Sequence, residues 1–457
     1  MSGIGLVPDI LNEVMLRLPL DIAEKFAFAQ VSRLWRDLAL DNRLFWSSFT
    51  GDDSKADCYR VPLVLERSGS QTLLHIQFRF SSGKMVDWPT DALNALVPYV
   101  ARIVTLDIEF TAPMDVKALL NSGLEFPVLQ TLRLKSSIYR NVPGLLLTAP
   151  NIQTLDIERI HLTNWGTLLC PSLENIKLCD SPVEMLLEIL KRCPRVWRIV
   201  LRTWYPWSGY SIEDSFAAFP SRPLAPALRE LDLQIRGSDL IRVLEAGFSD
   251  VVLHSLTGCI YNGHGEDDVE ILSGALLPGV GSLVLFKLVD MQDVELRDEA
   301  GRIRHLQCWD TFEVRRVWGY LSLHYGLHKT VREIQIRPEH WHAYLEIFES
   351  YPSQQEGITL AIDTGWSDFP LIQDGEGDLV QASKVLRMPG LAKVKFCGSK
   401  NSEYFIQTIL DVLALIEPPT VRKVEVCIEL TTGAQDVLRT LQSTWSDCWA
   451  ICSHCAE

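Results

Sequence analysis

Apolar side chains recur at helical spacing in the first fifty residues. From Pro8 onward they return every three or four positions, and the polar residues between them fall on the opposite side of a helix. Pro19 ends this helix, and Asp21 with Glu24 has the spacing of a capping box that begins another. The pattern predicts three or four short amphipathic helices. The apolar stripes comprise Val7, Ile10, Leu11, Val14, Met15 and Leu18, then Ile22, Phe26 and Ala29, then Val31, Leu34, Trp35 and Leu38, and finally Leu44, Phe45 and Trp46.

This N-terminal segment is too small to bury all of its apolar side chains by itself. A domain of about 45 residues usually needs disulfides, a metal or a partner, and residues 1–50 contain no cysteine. We therefore predict that another protein covers part of its apolar surface. The alternative is an ordinary helical cap that packs on the rest of its own chain.

A repeated pattern after residue 100 indicates short strands. Five blocks read Pro-x-apolar-x-x-apolar-x-apolar, and their prolines are 23, 21, 23 and 32 residues apart. The alternation that ends each block predicts a strand, and a proline at its start removes no central hydrogen bond. The blocks cover 127–134, 150–157, 171–178, 194–201 and 226–233, with weaker copies at 73–80, 103–108, 283–288, 331–336, 391–396 and 421–428.

Helical patterns lie between several of these strands. Residues 182–192 place apolar residues on one face, and residues 238–246, 339–350 and 402–416 repeat the arrangement. Strand followed by helix, repeated along a chain, predicts parallel strands on one face and helices on the other. Residues 51–55 are polar and predict a hinge between the N-terminal helices and this array.

Composition excludes several classes of function. The chain has 457 residues, 47% hydrophobic and 22% charged, which is typical of a folded protein. Its net charge of −15 argues against nucleic acid as a partner, because phosphates require a basic surface. We expect no signal peptide, and no membrane span because no apolar run is long enough, and the eleven scattered cysteines indicate a reducing compartment. We therefore expect a protein of the cytoplasm, the nucleus or both.

Sequence patterns for catalysis are absent. The sequence has no phosphate-binding loop, no dinucleotide-binding glycine motif and no Gly-x-Ser-x-Gly elbow. The tail has one suspect metal site, but its spacing is not that of a zinc finger, so thiols at a helix end are the preferred interpretation. We expect no metal, no cofactor and no enzymatic activity, the alternative being an enzyme hidden in residues 248–457. The suspect residues are Cys448, Cys452, His454 and Cys455.

Two clusters of aromatic and basic residues are typical of interaction surfaces, because Trp, Tyr and Arg dominate interface hot spots. Packing of the tryptophans beneath the stretch that ends at Pro226 is the preferred interpretation of the first cluster, and target binding is the weaker assignment. The first cluster contains Arg198, Arg202, Trp204, Tyr205 and Trp207, and the second contains Trp309, Trp318, Tyr320 and Tyr325.

The N-terminal segment resembles the F-box family. The resemblance is carried by Leu6-x-Pro8-Asp9-Ile10, Leu18-Pro19, Val31-Ser32-Arg33-x-Trp35-Arg36-Asp37-Leu38-Ala39, and Leu44 with Trp46. Asp9 and Ser32 stand where many members have glutamate and cysteine. The resemblance implies binding to a Skp-type adaptor and, through it, to a cullin. Several contact residues must also hold the helices together, so the division between core and contact stays open. The implied adaptor-binding residues are Leu6, Pro8, Ile10, Leu11, Val14, Leu18, Pro19, Val31, Trp35, Leu38 and Trp46.

The repeated blocks resemble leucine-rich repeats, whose 20–29-residue units stack into a curved solenoid. Ser137, Ile160 and Ser181 stand where a regular repeat has Asn or Cys, so we expect an irregular array of about 10–13 units. An F-box followed by such repeats resembles the large fungal sets of F-box proteins.

These expectations define one fold and one function. The predicted fold class is α/β, with a three-helix F-box followed by an irregular leucine-rich-repeat solenoid. The predicted domains are an F-box at 1–50, a linker and first repeat at 51–100, the solenoid at 101–440 and a tail at 441–457. By resemblance, we expect a substrate-recognition subunit of an SCF-type cullin–RING ubiquitin ligase that holds an unknown target near the ubiquitin carrier. The alternatives are a non-ligase F-box scaffold and a leucine-rich-repeat interaction protein without a role in ubiquitination.

Overall fold

A computed structural model of the chain divides into two compact units, Met1–Leu231 and Asp232–Glu457. The described residues are 8–18, 20–80, 88–110, 119, 123–142, 147–162, 167–179, 181, 184–202, 226–234, 243–244, 248, 252–259, 276–277, 280–288, 293–308, 311–336, 357–363, 391–397, 423–427 and 449–451.

The first unit begins with four short helices. Polar side chains set three of the starts, since Asp21, Ser32 and Asn42 each accept a hydrogen bond from a backbone N–H in the first turn that follows. Asn42 ends one helix and caps the next, so the segment has four helices, within the three or four that were predicted. The helices are α1 (Pro8–Arg17), α2 (Ile22–Phe28), α3 (Arg33–Asp41) and α4 (Arg43–Ser47).

The segment that follows α4 belongs to the sheet. Strand β1 (Ser48–Asp52) pairs in parallel with β2 (Leu74–Phe80), and α5 (Lys55–Arg67) fills the crossover between them. The predicted hinge at 51–55 is therefore wrong, because Gly51 and Asp52 end β1 and Ser54 caps α5.

Two contacts connect the start of α2 to β1. Asp21 forms a parallel bridge to Thr50, and buried Gly51 lets α2 approach closely. A Cβ at Gly51 would lie 3.0 Å from side-chain atoms of both Ile22 and Phe78, which explains a glycine inside a strand. The N-terminal helices and the start of the sheet are therefore packed as one body.

Seven consecutive strands of the first unit pair in parallel and in chain order, from β1 to β7. This confirms the strands predicted from 73 to 201. The N–H groups of Arg229 and Glu230 donate to the carbonyl of Trp197 where β8 (Glu230–Gln234) begins. The other strands are β3 (Ile103–Phe110), β4 (Thr131–Val142), β5 (Thr154–Leu162), β6 (Asn175–Cys179) and β7 (Arg198–Arg202), and the helices are α6 (Trp88–Leu96), a 3₁₀ helix (Val97–Arg102) and α7 (Glu184–Arg192).

The same hydrogen bond recurs at each junction between successive units. The backbone N–H of Gln153 donates to the backbone carbonyl of Gln130. In the same way, the N–H of Glu174 donates to the carbonyl of Gln153, and the N–H of Trp197 donates to the carbonyl of Glu174. The apolar residues that alternate along the strands are buried, so each block contributes an equivalent layer to one core. These core residues include Leu132, Leu134, Leu155, Ile157, Ile176 and Leu178.

The opposite face of this sheet carries charges of alternating sign. Arg79 lies 3.3 Å from Asp107 between β2 and β3, and Lys177 lies 3.6 Å from Asp156 between β6 and β5. Opposite charges on neighbouring strands stabilise their pairing modestly. One face of the parallel sheet is therefore apolar and the other polar.

The second unit contains a three-stranded meander within a parallel sheet. In the meander, β11 pairs in antiparallel orientation with β10 on one side and with β12 on the other. The two outer strands of the meander join parallel neighbours, because β12 pairs with β9 and β10 pairs with β13. From β13 to β17 the strands pair in parallel and in chain order. The elements are β9 (Ser255–Cys259), β10 (Leu283–Leu288), β11 (Asp293–Asp298), β12 (Ile303–Gln307), α8 (Thr311–Tyr325), α9 (Leu327–Thr330), β13 (Glu333–Ile336), β14 (Ile358–Asp363), β15 (Leu391–Cys397), β16 (Lys423–Cys427) and β17 (Trp449–Ile451).

The fold is α/β, with N-terminal helices and a large sheet, as predicted at that level. Helix α7 confirms the helical pattern at 182–192, whereas the helices predicted at 339–350 and 402–416 lie outside the described residues. The leucine-rich-repeat solenoid and the domain limits stay predictions, and the limit at residue 50 falls inside β1.

Candidate interaction surface of the N-terminal helices

The N-terminal helices expose many large apolar side chains to solvent. Eight of the fourteen exposed large hydrophobic residues in the described part of the chain lie between residues 10 and 44. Such a concentration marks an interaction surface, whereas scattered exposed residues are ordinary. The eight residues, with their exposed fractions, are Ile10 (51%), Val14 (41%), Leu16 (46%), Leu18 (42%), Val31 (62%), Leu34 (46%), Leu40 (45%) and Leu44 (58%).

The structure divides the predicted adaptor-binding residues into exposed and buried positions. Leu11 and Trp46 are buried, so their side chains support the surface rather than form it. Trp35 and Leu38 are partly exposed, and Leu6 and Pro19 lie outside the described residues. The exposed members are Pro8, Ile10, Val14, Leu18 and Val31.

Some exposed residues were missing from the predicted adaptor-binding set. They are Leu16, Leu34, Leu40 and Leu44, of which Leu44 carried part of the family resemblance. Leu34 follows Val31 at a helical spacing of three, a signal that the sequence offered. Leu16 and Leu40 gave no such signal, because an apolar residue on a short helix is equally consistent with burial.

Five aromatic rings form a continuous chain through the N-terminal helices. Trp35 packs on Phe28 at 4.2 Å between ring centroids, Phe28 contacts Phe45 at 5.6 Å, and Phe45 contacts Trp46 at 5.0 Å. Trp46 then meets Phe26 edge-on at 5.5 Å, within the favourable range for aromatic pairs. We call these five residues the aromatic chain; it runs from the partly exposed Trp35 to the side of the helices that faces α5.

Hydrogen bonds fix two members of the aromatic chain. The indole Nε1 of Trp46 donates to the carbonyl of Ala39 at 2.6 Å, which joins α4 to α3. The Nζ of Lys25 donates to the carbonyl of Phe45 and lies 4.2 Å from the centroid of the Phe45 ring. Burial lowers the pKa of Lys25 to about 8, because the charged amine has lost its water.

Two arginines of α5 close the other end of the aromatic chain. The Cζ of Arg67 lies 4.6 Å from the ring centroid of Phe26 and 4.6 Å from that of Trp46. The Cζ of Arg60 lies 5.2 Å from the Phe26 ring, and its guanidinium also pairs with Asp57 at 3.4 Å. Sequence reasoning missed both contacts, although the spacing of seven residues places the two arginines on one face of a helix.

The second predicted recognition site is only partly described. Arg198 on β7 lies 3.2 Å from Glu230, and Arg202 ends the same strand. Trp204, Tyr205 and Trp207 lie outside the described residues. The target-binding assignment of this cluster stays a prediction.

The other aromatic cluster is split between core and surface. Trp318 is fully buried against Phe286, at 4.8 Å between ring centroids, so it is a core residue, as the preferred packing interpretation of these clusters expects. Tyr320 and Tyr325 lie together near the end of α8, and Trp309 lies outside the described residues.

The described residues offer little for catalysis. They contain no group of three or more His, Cys, Asp or Glu side chains arranged to hold a metal, and the suspect cysteines of the tail lie outside them. Burial raises the pKa of the Cys58 and Cys193 thiols to about 12, so both are poor nucleophiles at neutral pH. None of the helices in this part of the chain is both long and apolar enough to cross a membrane.

Comparison with protein families identifies the N-terminal segment. Residues 5–47 match the F-box domain, and the match ends one residue before β1 begins. This match confirms the resemblance of the N-terminal segment to the F-box family. F-box domains bind Skp-type adaptors in SCF-type ubiquitin ligases, and F-box proteins are generally substrate adaptors rather than enzymes. No curated protein matches the chain.

Proposed function

We propose that the chain is the substrate-recognition subunit of an SCF-type cullin–RING ubiquitin ligase. The F-box binds a Skp-type adaptor, the adaptor joins a cullin, and the remaining chain holds a target protein. The chain performs no bond-making chemistry and acts by raising the local concentration of target lysines near the ubiquitin carrier. The observation that carries the proposal is the coincidence of the F-box match with the concentration of exposed apolar residues.

The physical character of this surface supports a protein partner. Burying the exposed half of a Leu, Ile or Val side chain contributes about 1 kcal/mol, so several such residues together offset much of the cost of association. The same helices carry exposed ion pairs, Glu13 with Arg17 at 2.7 Å on α1 and Arg33 with Asp37 at 3.9 Å on α3. Protein interfaces typically combine apolar and charged side chains in this way.

We also propose that the strands after the F-box are irregular leucine-rich repeats. The support is the parallel pairing of β3 to β7, the recurring hydrogen bond at each junction and the buried apolar layer that each block contributes. The meander of β10 to β12 interrupts this order in the second unit. Target contacts are proposed at Arg198 and Arg202, together with Trp204, Tyr205 and Trp207, which lie outside the described residues.

A reducing compartment, the cytoplasm or the nucleus, is proposed as the site of action. Cys58, Cys179 and Cys193 are buried as free thiols, as expected where disulfides do not form.

Affinity purification of the full chain tests the adaptor-binding role. We would compare the wild type with an Ile10→Asp, Val14→Asp, Val31→Asp variant, because these exposed side chains can change without opening the core. Leu323→Asp is the matched control, since Leu323 is 66% exposed on α8 in the other unit. Adaptor and cullin should co-purify with the wild type and the control, and not with the triple variant.

Two results would change the proposal. Retention of the adaptor by the triple variant would show that the exposed apolar residues are not the contact. Recovery of the adaptor without any cullin would favour the alternative of a non-ligase F-box scaffold.

A further inference from the structure

Helix α5 lies outside the residues that match the F-box domain, yet it completes their core. We propose that Arg67 on α5 is a positioning residue for adaptor binding: its guanidinium, stacked on Phe26 and Trp46, holds the aromatic chain that carries Trp35 to the adaptor-binding surface. This inference rests on the proposed adaptor-binding function and extends it to a residue beyond position 47.

The first step is the contact of Arg67 with the two rings. Its Cζ lies 4.6 Å from each centroid, inside the distance at which a cation is attracted to the face of an aromatic ring. The guanidinium is partly removed from water, and this burial lowers its pKa. A cation–π contact is stronger when it is desolvated. Arg67 therefore fixes Phe26 of α2 and Trp46 of α4 relative to α5.

The second step is the set of contacts that connects Trp46 to α3. Trp46 donates from its indole Nε1 to Ala39, and Ala39 lies on the buried side of α3. Trp46 also contacts Phe45, which reaches Trp35 through Phe28. A shift of Trp46 therefore moves α3 by two routes, one hydrogen-bonded and one aromatic.

The third step is the location of the surface residues. Leu34 and Leu38 lie on α3, and Val31 immediately precedes the residue that caps it. The positions of these apolar residues on the surface therefore depend on the position of α3. Helix α5 also packs against both α2 and α4, so residues 5–47 share part of their packing with a helix beyond position 47.

Substitution of Arg67 in the full chain tests this role. Arg67→Met keeps the apolar stem and removes the cation, whereas Arg67→Lys keeps a cation over the rings. Arg79→Met is the matched control, because Arg79 pairs with the carboxylates of Asp107 and Glu109 on the polar face of the sheet. Binding to a purified Skp-type adaptor would be measured by titration calorimetry, and amide hydrogen exchange would be measured in the free proteins.

We expect Arg67→Met to weaken adaptor binding about tenfold, while Arg67→Lys recovers most of the affinity and Arg79→Met leaves it unchanged. In the free protein, Arg67→Met should speed amide exchange across α3 and α4 and leave β3 to β6 protected. Unchanged affinity together with unchanged exchange in α3 and α4 would overturn the proposal. Faster exchange throughout β3 to β6 would also overturn it, because Arg67 would then stabilise the whole unit rather than position the surface.

The two readouts separate this inference from the proposed function. A wild-type chain that fails to bind the adaptor would refute the proposed function. The exchange of α3 and α4 would still show whether Arg67 holds them in place.

Discussion

Replacement of Lys25 by methionine should change how the stability of the F-box depends on pH. Lys25 is 4% exposed, and burial lowers its pKa from 10.5 to about 8. One pKa unit corresponds to about 1.4 kcal/mol, so keeping this amine charged in the folded state costs about 3 kcal/mol below pH 8. Methionine has a similar length and carries no charge. We therefore expect Lys25→Met to stabilise the first unit at neutral pH by about 2 kcal/mol, after about 1 kcal/mol is lost with the hydrogen bond to Phe45.

The pH dependence has a definite sign. Between about pH 8 and 10.5 the unfolded chain keeps the proton of Lys25 and the folded chain releases it, so the unfolded state binds more protons. The free energy of unfolding of the wild type therefore rises with pH across this window relative to that of the variant. From about pH 7 to about pH 9.5 the advantage of Lys25→Met should shrink by about 2 kcal/mol.

Urea unfolding of both full-length proteins at the two pH values measures this difference. The other titrating groups are common to both proteins and cancel when the two free energies are subtracted. A variant that is less stable than the wild type at neutral pH, with a difference that stays constant between the two values, would refute the reasoning. In that case the hydrogen bond and the ring contact of Lys25 would outweigh its loss of hydration.

Three further substitutions test the packing. Gly51→Ala should lower the free energy of unfolding by about 1–3 kcal/mol in urea titrations, because its Cβ would lie 3.0 Å from Ile22 and Phe78. Trp318→Ala should remove about 3–5 kcal/mol from the second unit and leave adaptor binding unchanged, as thermal unfolding and pull-down would show. Asp298→Ala should lower the thermal midpoint and expose β11 and β12 to hydrogen exchange, because the buried carboxylate accepts from three backbone N–H groups and from Arg302. If one of the three variants is as stable as the wild type, the contact removed or disturbed in that variant does not make the expected contribution to stability.

Local sequence patterns were sufficient to predict the regular helices and strands of the fold. The F-box helices follow from apolar spacing and from the capping box of Asp21 and Glu24, which acts within a few residues. The parallel strands β4 to β7 follow from blocks that begin with proline and end in alternation, because a repeated pattern requires a repeated solution. In these segments local preference and tertiary packing favour the same structure.

The remaining features depend on contacts between distant residues. The short polar strand β1 exists because β2 and α2 pair with it and pack against it, and the meander of β11 and β12 turns around Asp298 and Gly301. The division of the adaptor-binding set was equally hidden, since Leu11 is buried and Ile10 is exposed although both are apolar residues of the same helix. An apolar pattern identifies side chains that avoid water, and it does not say whether the chain itself or a partner covers them.

The pairing of β1 with β2 bears on how chimeric receptors could be made from this chain. A chimera that exchanged only the matched residues 5–47 would cut the chain beside an edge strand and leave Gly51 and the α5 arginines facing a foreign surface. A transplant that carries residues 8–80 would keep the strand pair, the crossover helix and the aromatic rings together. Under the proposed function, a target bound to the first unit would also keep a fixed direction relative to the adaptor, because the junction is a paired strand.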